Sequence, residues 1–295
     1  MLAGGEGRRL RPLTLERAKP ALEVHEGYQI VDFVLANLVN SGVHWIYVLV
    51  HYKPDSLLEH VARVWQPAVL RRGILLRMLA PQDAESGYGG TADALYRHLD
   101  LIARHDPFVV AVFAADHVYR MNLRPMAAFH HRSLADVTIA AVPVTIEDAP
   151  RFGVIQAAAD GRVVEFEEKP AHPACLPGDH AHAFASMGNY LFVPTALAAL
   201  LEENAERRGT DLGADVLPLA VRAGMRVFAY DFSCNHVPGV KPYEDAAYWR
   251  DVGTVGSLAQ AREDVAGPHP RLDLHNRKWP LHPARSAGRA TRTAH

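Results

Sequence analysis

The sequence is short of the features that mark secreted, membrane and fibrous proteins. Only two of its 295 residues are cysteines, too few for a disulfide framework, which is typical of a reducing compartment. No apolar run approaches the ~20 residues of a membrane-spanning helix, and the N-terminal residues lack the apolar core of a signal peptide. The net charge of −2 gives no excess of positive charge for nucleic acid or an acidic membrane. We therefore expect a cytoplasmic globular protein with no nucleic-acid or membrane partner.

Lysine is also scarce, since only five of the 31 basic residues are lysines. The guanidinium fork of arginine favours bidentate contacts, whereas the compact ammonium of lysine suits a single phosphate as a point charge. In such an arginine-rich chain, a lysine is a mild indication that the position needs a compact ammonium group. Two of the five, Lys19 and Lys169, lie in or beside motifs described below.

Apolar strand-like segments alternate with amphipathic helical segments along most of the chain. Residues 45–50 (WIYVLV) predict a buried strand, and residues 55–65 predict a helix capped by Asp55. Two short alternating segments around Asp160-Gly161, within residues 153–168, predict a hairpin. The other predicted strands span residues 74–80, 108–114, 137–144, 187–193 and 226–232. The other predicted helices span residues 91–104, 124–132, 195–204, 214–223 and 254–265. This order predicts an α/β fold with a mostly parallel sheet flanked by helices.

A glycine-rich segment, residues 2–10 (LAGGEGRRL), is the first motif with chemical meaning. Gly4, Gly5 and Gly7 would let backbone N–H groups approach a bound phosphate, and Arg9 and Lys19 would add positive charge. An ordinary glycine-rich turn is the alternative, and the two cations make it the weaker one. The segment matches neither the P-loop nor the Gly-x-Gly-x-x-Gly pattern.

Two aspartates are candidate ligands for a hard cation such as Mg²⁺. Asp116 follows an apolar strand, where the ligand sites of open α/β sheets lie. Asp251 could complete the site. The alternatives are a cap or turn role for Asp116, and for Asp251 a pairing with Arg250 or with a helix N-terminus at 253–254.

Lys169 follows an acidic strand and precedes a proline, so it is a candidate for binding one phosphate group. Its alternative is a solvated lysine that pairs with Glu167 or Glu168. Glu168 could accept hydrogen bonds from sugar hydroxyls. Ser186 and Tyr88 are candidate polar contacts, with ordinary surface hydroxyls as the alternative.

These motifs occur in an order that resembles the sugar-nucleotide pyrophosphorylases. Residues 17–21 (RAKPA) and 28–42 (YQIVDFVLANLVNSG) narrow the resemblance to the glucose-1-phosphate adenylyltransferases, and it covers about residues 2–281. Further similar segments are 87–94 (GYGGTADA), 115–120 (ADHVYR), 152–154 (FGV), 165–170 (EFEEKP), 186–190 (SMGNY), 248–254 (YWRDVGT) and 276–281 (NRKWPL).

The resemblance implies a Rossmann-like nucleotidyltransferase fold and the reaction of ATP with glucose 1-phosphate to give ADP-glucose and pyrophosphate, in glycogen synthesis. A related enzyme with another nucleotide or sugar phosphate is one alternative, and a non-catalytic, regulatory or vestigial paralogue is another. The residues implied in catalysis are Arg9, Asp116 and Asp251, the two aspartates also holding Mg²⁺. Those implied in nucleotide binding are Gly4, Gly5, Gly7, Arg9, Lys19, Gln82, Gly90 and Thr91. Those implied in glucose 1-phosphate binding are Tyr88, Gly153, Glu168, Lys169 and Ser186.

Both ends of the chain depart from the resemblance. Members of the family have a full apolar strand before the glycine-rich segment, whereas only Met1 and Leu2 precede Ala3 here. They also continue into a left-handed β-helix domain, where this chain has an Ala/Arg-rich segment at 284–295. We therefore expect a catalytic domain over 1–255, a helix and junction over 256–283, a disordered tail over 284–295, and truncation at both ends. The homo-oligomer usual for the family is doubtful without the β-helix domain.

Overall fold

The computed structural model describes residues 1–81 and 87–282. These residues fall into two compact units. The first unit comprises Met1–Ala80, Ala114–Arg124 and the residues from Asn235 onward. The second comprises Pro81–Phe113 and Pro125–Cys234. Each unit is described by itself below.

Strands and helices follow one another along the described residues. The strands are β1 (Leu2–Ala3), β2 (Glu23–His25), β3 (Tyr28–Gln29), β4 (Trp45–Val50), β5 (Leu75–Leu79), β6 (Val110–Phe113), β7 (His117–Tyr119), β8 (Val137–Thr145), β9 (Gly153–Ala157), β10 (Val163–Glu168), β11 (His182–Phe192), β12 (Val227–Asp231) and β13 (Trp249–Asp251). The helices are α1 (Ile30–Ser41), α2 (Asp55–His60), α3 (Gln66–Leu70), α4 (Thr91–Tyr96), α5 (Leu99–Ala103), α6 (Leu123–Arg132), α7 (Pro194–Glu206), α8 (Leu217–Arg222) and α9 (Val255–Asp264).

A parallel three-stranded sheet in the order β1-β4-β5 lies in the first unit. Leu2 of β1 pairs with Leu49 on one side and forms a parallel bridge to Ala114 on the other. The Ala115 N–H donates to the Leu2 carbonyl at 3.0 Å. Because β1 and residues 114–115 run in parallel, the glycine-rich segment and Asp116 leave the sheet at the same edge, where α/β folds bind ligands.

Helix α1 is buried along nearly its whole length, with Ile30, Phe33 and Leu35 at 0% exposure. Asp32 carries out two tasks there. One carboxylate oxygen accepts the Gln29 N–H at 2.8 Å and caps the helix. The other accepts from His60 Nε2 and from the Trp65 indole, both at 2.6 Å, so the carboxylate links α1 to the helical segment that begins at α2.

The second unit is built on a mixed six-stranded sheet. Strand β11 pairs antiparallel with β6, β8 and β9, strand β9 forms an antiparallel hairpin with β10, and β12 runs parallel to β8. The hairpin predicted around Asp160-Gly161 is confirmed, and Gly161 has the positive φ (84°) that its turn requires. The predicted α/β fold is also confirmed. One of the two larger sheets is parallel as expected, whereas the pairs of the six-stranded sheet are mostly antiparallel.

Three local expectations need correction. Pro54 occupies the N-cap position of α2, so Asp55 lies in the first turn, where its charge favours the helix dipole without capping it. The helix predicted over 91–104 is two helices, α4 and α5, with a turn at His98. The strand predicted from residue 187 begins at His182, because the chain pairs with β8 on both sides of an irregularity between Ser186 and Tyr190. Among the described residues, no helix is long and apolar enough to cross a membrane.

Candidate active site

The glycine-rich segment follows β1 and turns sharply at Gly7. Gly7 has φ 61°, and a Cβ atom there would lie 3.1 Å from Thr14 Cγ2 and 3.2 Å from Lys19 Cβ. A side chain at this position would therefore be strained by its conformation and crowded by both neighbours. The Gly7 carbonyl accepts from the Leu10 N–H at 2.8 Å and from the Thr14 hydroxyl at 2.9 Å, which fixes the turn. The backbone at Gly4 and Gly5 precedes this fixed turn, and Gly5 is exposed.

Lys19, Asp116 and Asp251 meet in the first unit. Lys19 Nζ lies 2.8 Å from Asp116 Oδ2 and 3.7 Å from Asp251 Oδ1, and only 8% of the lysine side chain is exposed. The two aspartates come together because β7 pairs antiparallel with β13, with His117 opposite Asp251. Arg9 approaches the same place, since its Nη2 and the Asp251 carboxylate both lie within 3.0 Å of where a Cβ atom of Gly253 would stand.

The carboxylates of Asp116 and Asp251 are oxygen ligands of the kind that a divalent metal requires. Burial acts to raise the pKa of Asp116, but the Lys19 ammonium and His117 outweigh it, so the pKa of this carboxyl lies well below its usual value. Asp116 is therefore ionised at neutral pH. Carboxylate oxygens are the ligands that hard divalent cations prefer. The residues present therefore fit a divalent metal at Asp116 and Asp251.

The neighbours of Asp251 bear on its two alternative roles, the pairing with Arg250 and the cap of the helix that follows. Arg250 pairs with Asp264 and Tyr248. The helix that follows, α9, is capped by Thr254, whose side chain exchanges hydrogen bonds with Ser257. Asp251 instead faces Lys19 and His117.

A second polar group lies in the other unit, around Glu168. A Cβ atom at Gly213 would lie 2.6 Å from Glu168 Oε2, and one at Gly153 would lie 2.9 Å from the same oxygen. The carboxylate therefore lies against the backbone at both glycines, and at Gly153 the Phe166 ring is closer still, with Cζ 2.4 Å from the same Cβ position. Lys169 Nζ forms an ion pair with Glu168, while 59% of the lysine side chain is exposed.

Ser186 belongs to the same neighbourhood. Its hydroxyl donates to the Tyr190 hydroxyl at 3.3 Å and accepts from the Gly188 N–H at 3.2 Å. Burial raises the pKa of Tyr190, and the charges of Glu168 and Asp211 raise it further against the effect of Ser186. Tyr190, Ser186, Glu168 and Asp211 are thus close enough to interact electrostatically.

Gly90 and Thr91 lie at the start of α4 in the second unit. A Cβ atom at Gly90 would lie 2.4 Å from the Thr210 carbonyl oxygen, so only glycine allows this approach. The Thr91 hydroxyl donates to Asp211 at 3.0 Å and accepts from the Leu212 N–H at 2.8 Å. The Tyr88 hydroxyl lies 2.8 Å from His98 Nε2. Gln82, the predicted contact to the base, lies outside the described residues.

Comparison with known proteins identifies the family of the chain. The model of the nucleotidyl transferase family matches residues 1–267. The chain belongs to the nucleotidyl transferase family. It is 46% identical over 292 residues to the glucose-1-phosphate adenylyltransferase of Thermus thermophilus, which covers 96% of this chain and 70% of the relative. It is 43% identical to the enzyme of the same name from Thermodesulfovibrio yellowstonii, over 98% of this chain and 71% of the relative. Glucose-1-phosphate adenylyltransferase 1 of Vibrio vulnificus is 42% identical, over 96% and 69%.

Sequence reasoning missed three residues of this nucleotidyl transferase that touch the predicted groups. His117 faces both aspartates, Gly213 lies against Glu168, and Asp211 accepts from Thr91. A histidine is a weak signal in a chain that contains 17 of them. The position of His117 directly after Asp116 was the available signal. Gly213 and Asp211 are brought in by long-range packing, and their local sequence carries no sign of it.

Proposed function

We propose that the chain is a glucose-1-phosphate adenylyltransferase, which transfers the adenylyl group of ATP to glucose 1-phosphate and releases pyrophosphate. The product, ADP-glucose, is a glucosyl donor for glycogen and related α-glucans. The observation that carries the proposal is the meeting of Lys19, Asp116 and Asp251 beside the glycine-rich segment. The names and 42–46% identity of the relatives support the substrates. We expect the activity in the cytoplasm, and the catalytic domain over residues 1–255.

Asp116 and Asp251 would hold Mg²⁺. When bound, the ion would contribute positive charge to the triphosphate and to the transition state. The proposal that these residues bind a metal rests on the two carboxylates, which meet at Lys19. The finer assignment to Mg²⁺ follows from the oxygen-only carboxylate ligands and from the phosphates of the substrate.

The backbone N–H groups of Gly4 and Gly5 would bind the phosphates of ATP, with Arg9 and Lys19 supplying positive charge. Gly7 supports this segment by keeping its turn close to Lys19. Gly90 and Thr91 would bind the nucleoside part by backbone contact, because the Thr91 hydroxyl already pairs with Asp211. We retain Gln82 as the proposed contact to the base.

Lys169 would bind the phosphate of glucose 1-phosphate. Its exposed ammonium is attached to a rigid backbone, because Lys169 has φ 51° and its N–H donates to the Phe152 carbonyl at 2.9 Å. Glu168 and Ser186 would bind sugar hydroxyls. The glycine at position 153 leaves room for Glu168, and Tyr88 would complete the pocket.

The chemistry needs positioning and charge more than a protein base. A phosphate oxygen of glucose 1-phosphate forms a bond to the α-phosphorus of ATP, and the bond from that phosphorus to the bridging oxygen breaks, with its electron pair leaving on pyrophosphate. The nucleophile is already largely anionic at neutral pH, because the second pKa of a phosphate monoester is about 6. Lys19, Arg9 and the glycine N–H groups would stabilise the charge that develops on the phosphates.

Pyrophosphate release by the purified chain tests the proposal. The chain is incubated with Mg²⁺, glucose 1-phosphate and one nucleotide at a time: ATP, UTP, dTTP, CTP or GTP. We expect release with ATP, and a blank from the Asp116→Asn variant. Release only with another nucleotide would reassign the substrate within the family, and no release from a folded protein would overturn the proposed activity.

Replacing Lys169 with alanine is expected to raise the KM for glucose 1-phosphate about 10- to 100-fold, since a hydrogen bond to a charged group contributes roughly 1.5–3 kcal/mol. The kcat should change less than the KM, because Lys169 would contact this phosphate in the bound substrate as well as in the transition state. Initial rates at varied glucose 1-phosphate measure both constants. Arg207→Ala is the matched control, since Arg207 is an exposed cation of the same unit that pairs on the surface with Glu203. A large fall in kcat at unchanged KM would contradict the role of Lys169.

A further inference from the structure

His117 faces the carboxylates of both Asp116 and Asp251, the two proposed metal ligands. Its Nε2 lies 3.5 Å from Asp116 Oδ1 and 3.7 Å from Asp251 Oδ1. The backbone explains this position, because His117 directly follows Asp116 and is the residue opposite Asp251 in the ladder between β7 and β13. Only 12% of its side chain is exposed, so water does not separate it from the carboxylates to any large extent.

The other ring nitrogen indicates where the imidazole carries its proton. His117 Nδ1 is buried and has no hydrogen-bond partner among the described residues. A buried N–H group without an acceptor is costly and rare in proteins. The hydrogen that matters for the site is therefore the one on Nε2, the atom that faces the two carboxylates. The ring is held in this orientation by Trp249, whose ring centroid lies 5.3 Å from that of His117.

The carboxylates of Asp116 and Asp251 repel each other, and the neighbours that they share affect the distance between them. Lys19 contacts both and supplies a full positive charge. His117 also faces both carboxylates and presents an N–H group to them, which offsets the repulsion between them. Partners that orient the metal-binding side chains in this way contribute strongly to metal affinity in other proteins.

We infer that His117 is a positioning residue, which holds the carboxylates of Asp116 and Asp251 at the spacing that a divalent cation needs. The inference rests on the proposed function, in that these two carboxylates hold the metal. It assigns to His117 no contact with substrate and no proton transfer.

The experiment measures Mn²⁺ binding by the full chain without any substrate, from the electron paramagnetic resonance signal of free Mn²⁺. Two variants separate the N–H group from the ring: His117→Phe keeps an aromatic ring against Trp249, and His117→Gln keeps an N–H donor. We expect His117→Phe to raise the Kd for Mn²⁺ about 10- to 100-fold and His117→Gln to recover most of the affinity. His131→Phe, at an exposed histidine on α6, is the matched control.

The outcomes distinguish the inference from the proposed function. An unchanged Kd in His117→Phe overturns the positioning role, and so does an equal loss of affinity in both variants, which would indicate a requirement for the imidazole itself. A wild-type chain that binds no Mn²⁺ overturns the metal site together with the inference. In turnover, a higher half-saturating Mg²⁺ concentration at retained kcat supports positioning. Mn²⁺ binding that depends on His117 in a chain that releases no pyrophosphate supports the positioning role while the proposed reaction fails.

Discussion

Replacing Asp116 with asparagine is expected to lower the kcat for pyrophosphate release by about 10³-fold, which corresponds to the loss of ~4 kcal/mol of transition-state stabilisation. Asparagine has the shape of aspartate but no charge. The substitution therefore removes the closer of the two carboxylates that Lys19 contacts among the described residues, which is also one of the two proposed metal ligands. Since the aspartate side chain is partly exposed, the fold should survive. Steady-state kinetics at saturating Mg²⁺, with circular dichroism on the same sample, measure both effects.

Asp106→Asn is the matched control for this substitution. Asp106 is exposed and has φ 43°, a conformation that asparagine adopts about as readily as aspartate. The control thus removes the same charge without strain. Turnover of Asp116→Asn at a rate near that of the wild type would remove Asp116 from the site, even if the protein still proved to be an adenylyltransferase.

Local patterns in the sequence identified most helices and strands, because each buried segment carries its own periodicity. The strand predicted at residues 45–50 is β4 with the same bounds. The helix predicted over 55–65 continues to Leu70 despite Pro67. Pro67 stands at the beginning of a new helical segment, after a wider turn over Val61–Trp65, where the missing proline N–H removes no hydrogen bond that the helix needs. The spacing of apolar residues along the chain does not show that a helical segment can continue past Pro67.

The candidate site was only partly predictable for a similar reason. Asp116 could be identified from its place after an apolar strand, and Lys19 from its glycine-rich neighbours. Their meeting with Asp251 depends on β7 and β13, two strands of three residues each that are far apart along the chain. Strands this short have no periodicity to read. The contact of Glu168 with Gly213 likewise depends on tertiary packing.

A buried ion pair beside the same strands should have the largest effect on stability. Arg120 follows β7 directly, and its Nη2 lies 2.8 Å from Glu244 Oε2, with both side chains at most 1% exposed. Glu244 also accepts the backbone N–H groups of Lys241 and Asp273, each at 2.7 Å. The pair thus links the end of β7 to the segment that leads into β13, and so supports the strands on which Asp116 and Asp251 depend.

Replacing Glu244 with glutamine is expected to destabilise the fold by about 3–5 kcal/mol, because it leaves the buried Arg120 charge uncompensated. The glutamine amide also turns a donor toward one of the two backbone N–H groups. A loss of this size corresponds to a fall in Tm of roughly 10 °C, measured by calorimetry or circular dichroism. The control Glu203→Gln, in an exposed pair with Arg207, should change stability by less than about 0.5 kcal/mol.

The double variant Arg120→Met/Glu244→Gln separates a buried charge from lost packing. Once methionine replaces the arginine, no charge is left unpaired, and the glutamine oxygen can still accept one backbone N–H. We therefore expect the double variant to be more stable than Glu244→Gln alone, as is common when both members of a buried pair are replaced. If instead the losses from the two single substitutions simply add, Arg120 and Glu244 do not act as a pair. The double variant should recover much of the stability while lacking the ion pair. Its Mn²⁺ affinity then reports whether β7 and β13 still hold Asp116 and Asp251 together without that pair.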